Sequence, residues 1–264
     1  MTKPTLEQYP AWAKDNIGFD PSNAQVIKRY ERNSVGIRGS IVESAAWSSV
    51  SDLMEALTVE YIDTNRVNLF TDAKWTPTLH IKPFSSVVEK SFRRNVLNND
   101  NYPEAPTAGW ITEDNLFMRM TDLVRCRVVC RYMDGPEFIC EEAAKRLGAD
   151  IVSGVHSMET ELGYYAWHLG VFVTAPIVKP NGDVAEEKVQ LEVQLTTHLN
   201  DVLNDLTHVF YEGGRVATAP SDSRWKWQPY EAKFKGAYFG HTLHLLEGMI
   251  VELKNEMAKE AKND

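Results

Sequence analysis

An α+β fold, a small mixed or antiparallel sheet flanked by helices, is predicted by three features of the sequence. Residues in "TDLVRCRVVCRYMDG" and "KVQLEVQLTT" alternate with the period of half-buried strands. Apolar residues recur at helical spacing through most of residues 1–78 and again over 198–212. Asn181-Gly182 stands between two strand-like runs and marks a hairpin.

Taken in order, residues 1–78 form a helical N-terminal segment. "NAQVIKRYERN" and "SVSDLMEALTVEYIDTNRV" carry its helices, with Ser51 as the expected cap of the second. Residues 79–98 start extended around Pro83 and continue as a helix with Val87, Val88, Phe92 and Val96 on one side. Residues 99–115, with Pro103 and Pro106, are loop-rich. In the strand that follows, Val124, Cys126, Val128, Cys130 and Tyr132 share one face and Arg125, Arg127 and Arg131 the other. Asp134-Gly135 reads as a turn, and "PEFICEEAAKRLG" as a helix with Pro136 at its start and Gly148 at its end. "YAWHLGVFVTAP" is a strand with Leu169, Val171 and Val173 as core, joined by a hairpin to "KVQLEVQLTT". Over "HLNDVLNDLTHVFYE", Leu199, Val202, Leu203, Leu206 and Phe210 form the expected core stripe of a helix. Gly213-Gly214 ends it. A final helix, roughly 230–260, has Leu243, Leu246, Ile250, Leu253 and Met257 on a stripe that packs on its own core or on a partner.

The 28 basic and 37 acidic residues give a formal charge of −9. That excludes broad, sequence-independent duplex binding, which needs a basic face, but not a local basic patch. No apolar run approaches the roughly 20 residues that span a bilayer. "MTKPTLEQYPAWAKDN" lacks the apolar core of a signal peptide, so a cytoplasmic chain with no membrane partner is expected. Cys126, Cys130 and Cys140 show neither a disulfide framework nor paired zinc spacing and read as buried, reduced thiols. The phosphate-cradling GxxxxGK[ST] loop, the dinucleotide GxGxxG and the GxSxG elbow are all missing.

Several groups of polar residues can carry chemistry. In "KPFSSVVEKSFRRN", Lys82, Lys90, Arg93 and Arg94 bracket a helix, and Lys90 and Arg93, three apart, share a face. Such a pair can hold a polyphosphate; a solvated helix face is the competing reading. Asp122 opens the arginine-bearing strand, and a carboxylate there can seat magnesium on a nucleotide. Glu192, Gln194 and Thr196 point away from Leu191, Val193 and Leu195. Asp122 and Glu192 thus make a candidate carboxylate pair, Glu192 sharing the ion or taking a proton from an attacking hydroxyl. The competing reading of both strands is a wet sheet face. His208, flanked by Asn204 and Tyr211, contacts substrate or solvent. His241 and His244 lack a third metal ligand. In "GYYAWHLGVF", four large rings at a strand start are core or a platform for a flat ligand.

The order "IKPFSSVVEKSFRRN", "DLVRCRVVCRY", "GYYAWH", "LEVQLTTHLNDVLNDLTHVFYE" resembles the synthetase domain of the RelA/SpoT family of alarmone synthetases over about residues 80–212. The resemblance implies a nucleotidyltransferase-like core at 79–212, between the helical segment 1–78 and a loop and C-terminal helix at 213–264. It implies a pyrophosphokinase that moves the β,γ-pyrophosphate of ATP to a ribose 3′-hydroxyl and releases AMP, with Mg2+ as cofactor. By position, Lys90, Arg93 and Arg127 match ATP-binding residues, Asp122 the magnesium aspartate, and Glu192 with Gln194 the catalytic pair. Tyr164, His168, His208 and Tyr211 match acceptor-binding residues. Four positions depart from the pattern. "SGVHSMETEL" has no lysine or arginine where a basic cluster usually grips the acceptor's phosphates. Thr196 replaces an arginine, Arg125 a glycine and Glu212 a lysine. "GYYAWH" and "EVQLTT" look more like the toxic small alarmone synthetases, which implies the tRNA 3′ end as acceptor, an antitoxin partner and a homo-oligomer. The family default, a GDP or GTP acceptor, and adenosine nucleotides stay open, as does a degenerate nucleotide-binding regulator. "SRWKWQPYEAKFKGAYF" either holds an acceptor stem or anchors the last helix through its rings.

Overall fold

The computed structural model describes residues 2–72, 75, 77–212 and 223–260, with only the backbone at 207–212 and 223. Three helices come first: α1 (Tyr9–Ile17), α2 (Ala24–Glu43) and α3 (Ala45–Asn65). Asn23 caps α2 by accepting from the Gln25 N–H, and Ser44 caps α3 by accepting from the Trp47 N–H. Ser51 is therefore not a cap. It lies inside α3, where backbone groups already bond one another, and its Oγ accepts from Trp75 Nε1 at 3.4 Å.

The strand β1 (His80–Ile81) leads into α4 (Phe84–Phe92), which continues as one π turn, Arg93–Leu97. The buried Asn95 pegs that turn. Its amide donates to Tyr9 Oη and the Ile111 carbonyl, and its oxygen accepts from the Ile111 N–H. A short α5 (Leu116–Arg119) precedes β2 (Val124–Cys130) and α6 (Asp134–Leu147). Asp134-Gly135 is the first turn of α6 rather than a separate turn. An aspartate suits the positive end of a helix, and Pro136 falls where no N–H is needed. Then come β3 (Val152–Glu159), β4 (Tyr165–Val178), β5 (Val184–Thr197), α7 (His198–Glu212), a 3₁₀ turn (Ser223–Trp227) and α8 (Ala232–Glu260).

The sheet order is β1-β2-β5-β4-β3, with β2 and β5 parallel and every other pair antiparallel. The β4–β5 hairpin forms across Asn181-Gly182, Val178 facing Val184. Strand β3 lies outside the alternating stretches of the sequence. It is an edge strand whose only buried residue is Val152, so it needs little apolar alternation.

Register sorts the two faces. Arg125 faces Glu192, Arg127 and His168 face Gln194, and His156 faces His168, so these residues share one side. The other side, with Cys126, Leu169, Val171, Val173, Val193 and Leu195, packs into one core with α2, α3 and α6. The three cysteines are free and buried there. Burial and the nearby Glu192 push the Cys126 thiol up to about 12, so it stays protonated.

Helix α7 departs from expectation. Leu203 is buried, but Leu199, Val202 and Leu206 are exposed, and Phe210 lies outside the described side chains. Polar contacts seat the helix instead. Arg127 Nη1 lies 2.6 Å from Asp201 Oδ1 and 3.0 Å from Asp205 Oδ1. Helix α8 likewise turns Ala237, Gly240, Glu247 and Lys254 inward and leaves Leu246, Ile250, Leu253 and Met257 in solvent. Its buried charges are satisfied: Asn200 Nδ2 donates to Glu247 at 2.6 Å, and Lys254 donates to Tyr61 Oη at 2.8 Å and pairs with Asp134. Among the described residues no helix is long and apolar enough to cross a membrane.

Candidate active site

Asp122 sits just before β2, where the chain leaves α5 to enter the sheet. Its Oδ2 accepts from Lys82 at 2.8 Å and its Oδ1 from Lys90 at 2.7 Å. Lys82 reaches it because β1 pairs with β2, and Lys90 because it lies on the last turn of α4. Burial alone would raise the Asp122 pKa. The charges of Lys90 and Lys82 outweigh it and hold the carboxyl far below its ordinary value. Burial lowers the Lys90 pKa, and Asp122 opposes that shift. The three groups therefore form a compact, ionised cluster with one excess positive charge.

Lys90 and Arg93, expected on one face, are separated by the start of the π turn. Arg93 turns to Glu89, its Nε 3.5 Å from Oε1, and is left without a well-aligned hydrogen bond at that buried nitrogen. Arg94 lies in the fields of Asp122 and Arg119 and donates to the Arg119 carbonyl at 2.8 Å.

A second constellation lies on the polar sheet face, within the electrostatic reach of Asp122. Glu192 Oε1 accepts from Gln194 Nε2 at 2.7 Å, and its Oε2 is 3.4 Å from His168 Nδ1. The other ring nitrogen of His168, Nε2, is 3.4 Å from Tyr164 Oη. Tyr164, His168, Glu192 and Gln194 thus form one continuous polar chain. Burial raises the Glu192 pKa, but His168 and Gln194 outweigh it and the net shift is downward; Asp122 pushes the other way. Asp122 and Glu192 therefore feel each other. Arg127, on the same face, is occupied by Asp201 and Asp205. The side chains of His208 and Tyr211 lie outside the described residues.

The turn before Tyr164 is fixed by its own hydrogen bonds and by α8. The Thr160 N–H donates to the Tyr164 carbonyl at 3.1 Å, and the Tyr164 N–H donates back to Thr160 Oγ1 at 3.2 Å. Gly163 has φ of +77°, and a Cβ there would lie 2.4 Å from the Ala237 carbonyl oxygen. A Cβ on Gly240 would lie 2.3 Å from the Gly163 carbonyl oxygen. Backbone meets backbone here, so only glycine fits either position. Tyr165, on the opposite face, stacks on His244 at 3.6 Å and bonds His241 at 2.8 Å. It serves structure rather than the polar chain. Trp167 is partly buried against the core. In the 3₁₀ turn, Trp225 is buried, while Trp227 is 87% exposed and Tyr230 91%. Lys226 pairs with Glu161, 3.3 Å away, beside the turn that carries Tyr164.

Among the described residues no three His, Cys, Asp or Glu side chains gather to hold an ion unaided. Two carboxylates that feel each other fit magnesium, which takes one or two protein oxygens and completes its shell with water and substrate phosphates.

The sequence matches no protein-family model and no curated protein. Solved structures do match. The small alarmone synthetase 1 from Bacillus subtilis aligns over 88% of this chain and 99% of its own, at 18% identity and a TM-score of 0.55. The same enzyme bound to its product pppGpp covers 86% of this chain and 99% of its own, at 17% identity and a TM-score of 0.51. A GTP pyrophosphokinase family protein from Streptococcus pneumoniae covers 89% and 94%, at 16% identity and a TM-score of 0.50. The five-stranded mixed sheet and its helices thus have the nucleotidyltransferase-like fold of the small alarmone synthetases.

Proposed function

We propose that the chain is a magnesium-dependent pyrophosphokinase, with its catalytic unit in residues 79–212. It transfers the β,γ-pyrophosphate of ATP to a ribose 3′-hydroxyl in the cytoplasm. The observation that carries this reading is the Lys82–Asp122–Lys90 cluster lying within electrostatic reach of the Tyr164–His168–Glu192–Gln194 chain. The first suits a triphosphate, the second a nucleoside. The hydroxyl oxygen attacks the β-phosphorus, the bond from that phosphorus to the α–β bridging oxygen breaks, and AMP leaves. Lys90 and Lys82 neutralise phosphate charge, joined by Arg93 and Arg127. Glu192, ionised and held by Gln194, accepts the hydroxyl proton or orients it. Tyr164 stacks on the acceptor base beside His168, and His208 and Tyr211 complete the acceptor side. Magnesium, held by Asp122 with Glu192, would supply charge neutralisation on the phosphates.

For the acceptor we favour the tRNA 3′ end. The β3 strand that borders Tyr164 carries no lysine or arginine, and Glu159 and Glu161 flank its exit, so the strand itself offers no basic side chain to a free 5′ di- or triphosphate. Exposed Trp227 and Tyr230, with Lys226 beside the Tyr164 turn, suit stacking and phosphate contacts of a longer acceptor. This toxin-type reading includes inhibition of translation and an antitoxin partner. The second reading is alarmone synthesis on GDP or GTP, which the fold shared with a synthetase bound to pppGpp favours. A test is transfer of label from γ-labelled ATP with magnesium to GDP, GTP, ADP or bulk tRNA in turn. Label on tRNA alone supports the first reading, and label on GDP or GTP alone overturns it. Nucleotide binding without transfer to any acceptor makes the chain a regulator instead.

A further inference from the structure

A cavity of about 420 Å3 opens on the core side of the sheet, between the start of α6 and helix α8. That volume falls within the ~300–1,000 Å3 of small-molecule sites. Tyr165 and Trp167 of β4 line it, so it lies on the reverse of the strand that presents His168 to the candidate active site. Nothing in the proposed transfer uses it.

Asn200, which is 1% exposed, lines this cavity with an unmet need. Both of its amide hydrogens are occupied, because Nδ2 donates to Thr197 Oγ1 at 2.9 Å and to Glu247 at 2.6 Å. Its Oδ1 is buried and accepts from nothing among the described residues. A buried amide oxygen left bare is costly, and such an atom marks the place of a bound donor. His244 Nδ1, on the same wall, is also buried without a partner among the described residues. The neighbouring hydroxyls are engaged: Thr196 Oγ1 donates to the Tyr165 carbonyl at 3.4 Å, and Thr197 hydrogen-bonds Glu247. Asn200 thus asks the occupant for an N–H or O–H donor.

Charge gives the class of that donor. Glu137, Glu159 and Glu247 line the cavity, and no lysine or arginine does. Glu137 and Glu159 are exposed and form no ion pair among the described residues. The occupant is therefore cationic. A single metal ion does not suit it, because among the described residues no three acidic, histidine or cysteine side chains gather closely enough to share one. Separate positive charges joined by methylenes reach carboxylates that one ion cannot. Met133, Met158 and Trp167 supply apolar wall for such a stem, and an indole face also attracts a cation. We infer that the cavity binds an aliphatic di- or polyamine. Its ammonium N–H groups donate to Asn200 Oδ1 inside and to Glu137 and Glu159 at the rim.

The experiment is calorimetric titration of spermidine into the full chain without ATP or magnesium, so its outcome does not depend on the transfer reaction. Saturable binding of one spermidine per chain is expected. Glu137→Gln with Glu159→Gln keeps shape at two exposed positions and should weaken binding about tenfold or more. Ser157→Trp, at an exposed edge-strand position opposite Trp167, should fill the cavity and abolish binding, with an unchanged far-ultraviolet circular dichroism spectrum. Glu7→Gln with Glu31→Gln removes as much charge from exposed positions that do not line the cavity, and should leave the affinity unchanged. Absence of saturable binding, a rim variant as tight as the wild type, or a folded Ser157→Trp that still binds overturns the proposal. So does an equal loss in the Glu7 and Glu31 variant, which would mark attraction to the net charge of −9 alone.

Discussion

At the scale of single residues, Glu192 is the most exposed to test. Its carboxylate is ionised, held by Gln194 and close to His168, and Glu192→Gln keeps its shape while removing its charge. The expected outcome is a loss of transfer of about 10²-fold or more, with ATP binding retained, measured by label transfer and by calorimetry. Asp122 acts on stability as well. Asp122→Asn strands two largely buried lysines and should cost about 3 kcal/mol in urea denaturation. Its pH dependence has a definite sign. The folded carboxyl sits below its ordinary 3.8, so its contribution is complete above that value and disappears as pH falls through the folded pKa. Between about pH 5 and about pH 3 the wild type should lose more stability than Asp122→Asn, compared by urea midpoints. These residues were legible in the sequence because their chemical types recur in a fixed order. Lys82 was legible only as a basic residue, since its acid lies 40 positions away across a strand pair. The Arg127 clamp by Asp201 and Asp205 was hidden for the same reason.

At the scale of elements, the sheet's interior strands announced themselves and its edge did not. Strands β2, β4 and β5 bury one or both faces, so their apolar periods are enforced, while β3 is polar and exposed along most of its length. The π turn after α4 has no such period, and a buried side chain fixes it. Asn95→Ala would leave the Tyr9 hydroxyl and both Ile111 backbone groups without this partner, at a cost of about 2–3 kcal/mol in chemical denaturation. Stripes on α7 and α8 were misleading in one respect: a period marks an apolar face but does not place it against the chain's own core, and most of these residues are exposed. The contact of Gly163 with Gly240 gives a second measurement. Gly240→Ala must push α8 away from the Tyr164 turn. We expect a rise of about tenfold in the acceptor's KM with that for ATP unchanged, and a loss of about 1–3 kcal/mol in stability. Equal changes in both KM values would show that the contact supports the fold but not acceptor placement.

At the scale of the whole molecule, helices α2, α3 and α6 share one core with the sheet, and the polar face of that sheet collects the candidate chemistry. Helix α8 touches both sides of this arrangement. Its inner edge meets the Tyr164 turn backbone to backbone, and its outer edge is apolar and exposed. Anything that shifts α8 on one side is felt on the other. Any ligand of that outer edge and an acceptor bound beside the Tyr164 turn then belong to a single thermodynamic cycle. If covering the outer edge tightens the acceptor by some factor, the acceptor must strengthen that contact by the same factor. Acceptor affinity compared between the wild type and a variant altered only on the exposed edge of α8, such as Leu253→Glu, therefore reads out the communication between two sides of one helix that share no residue.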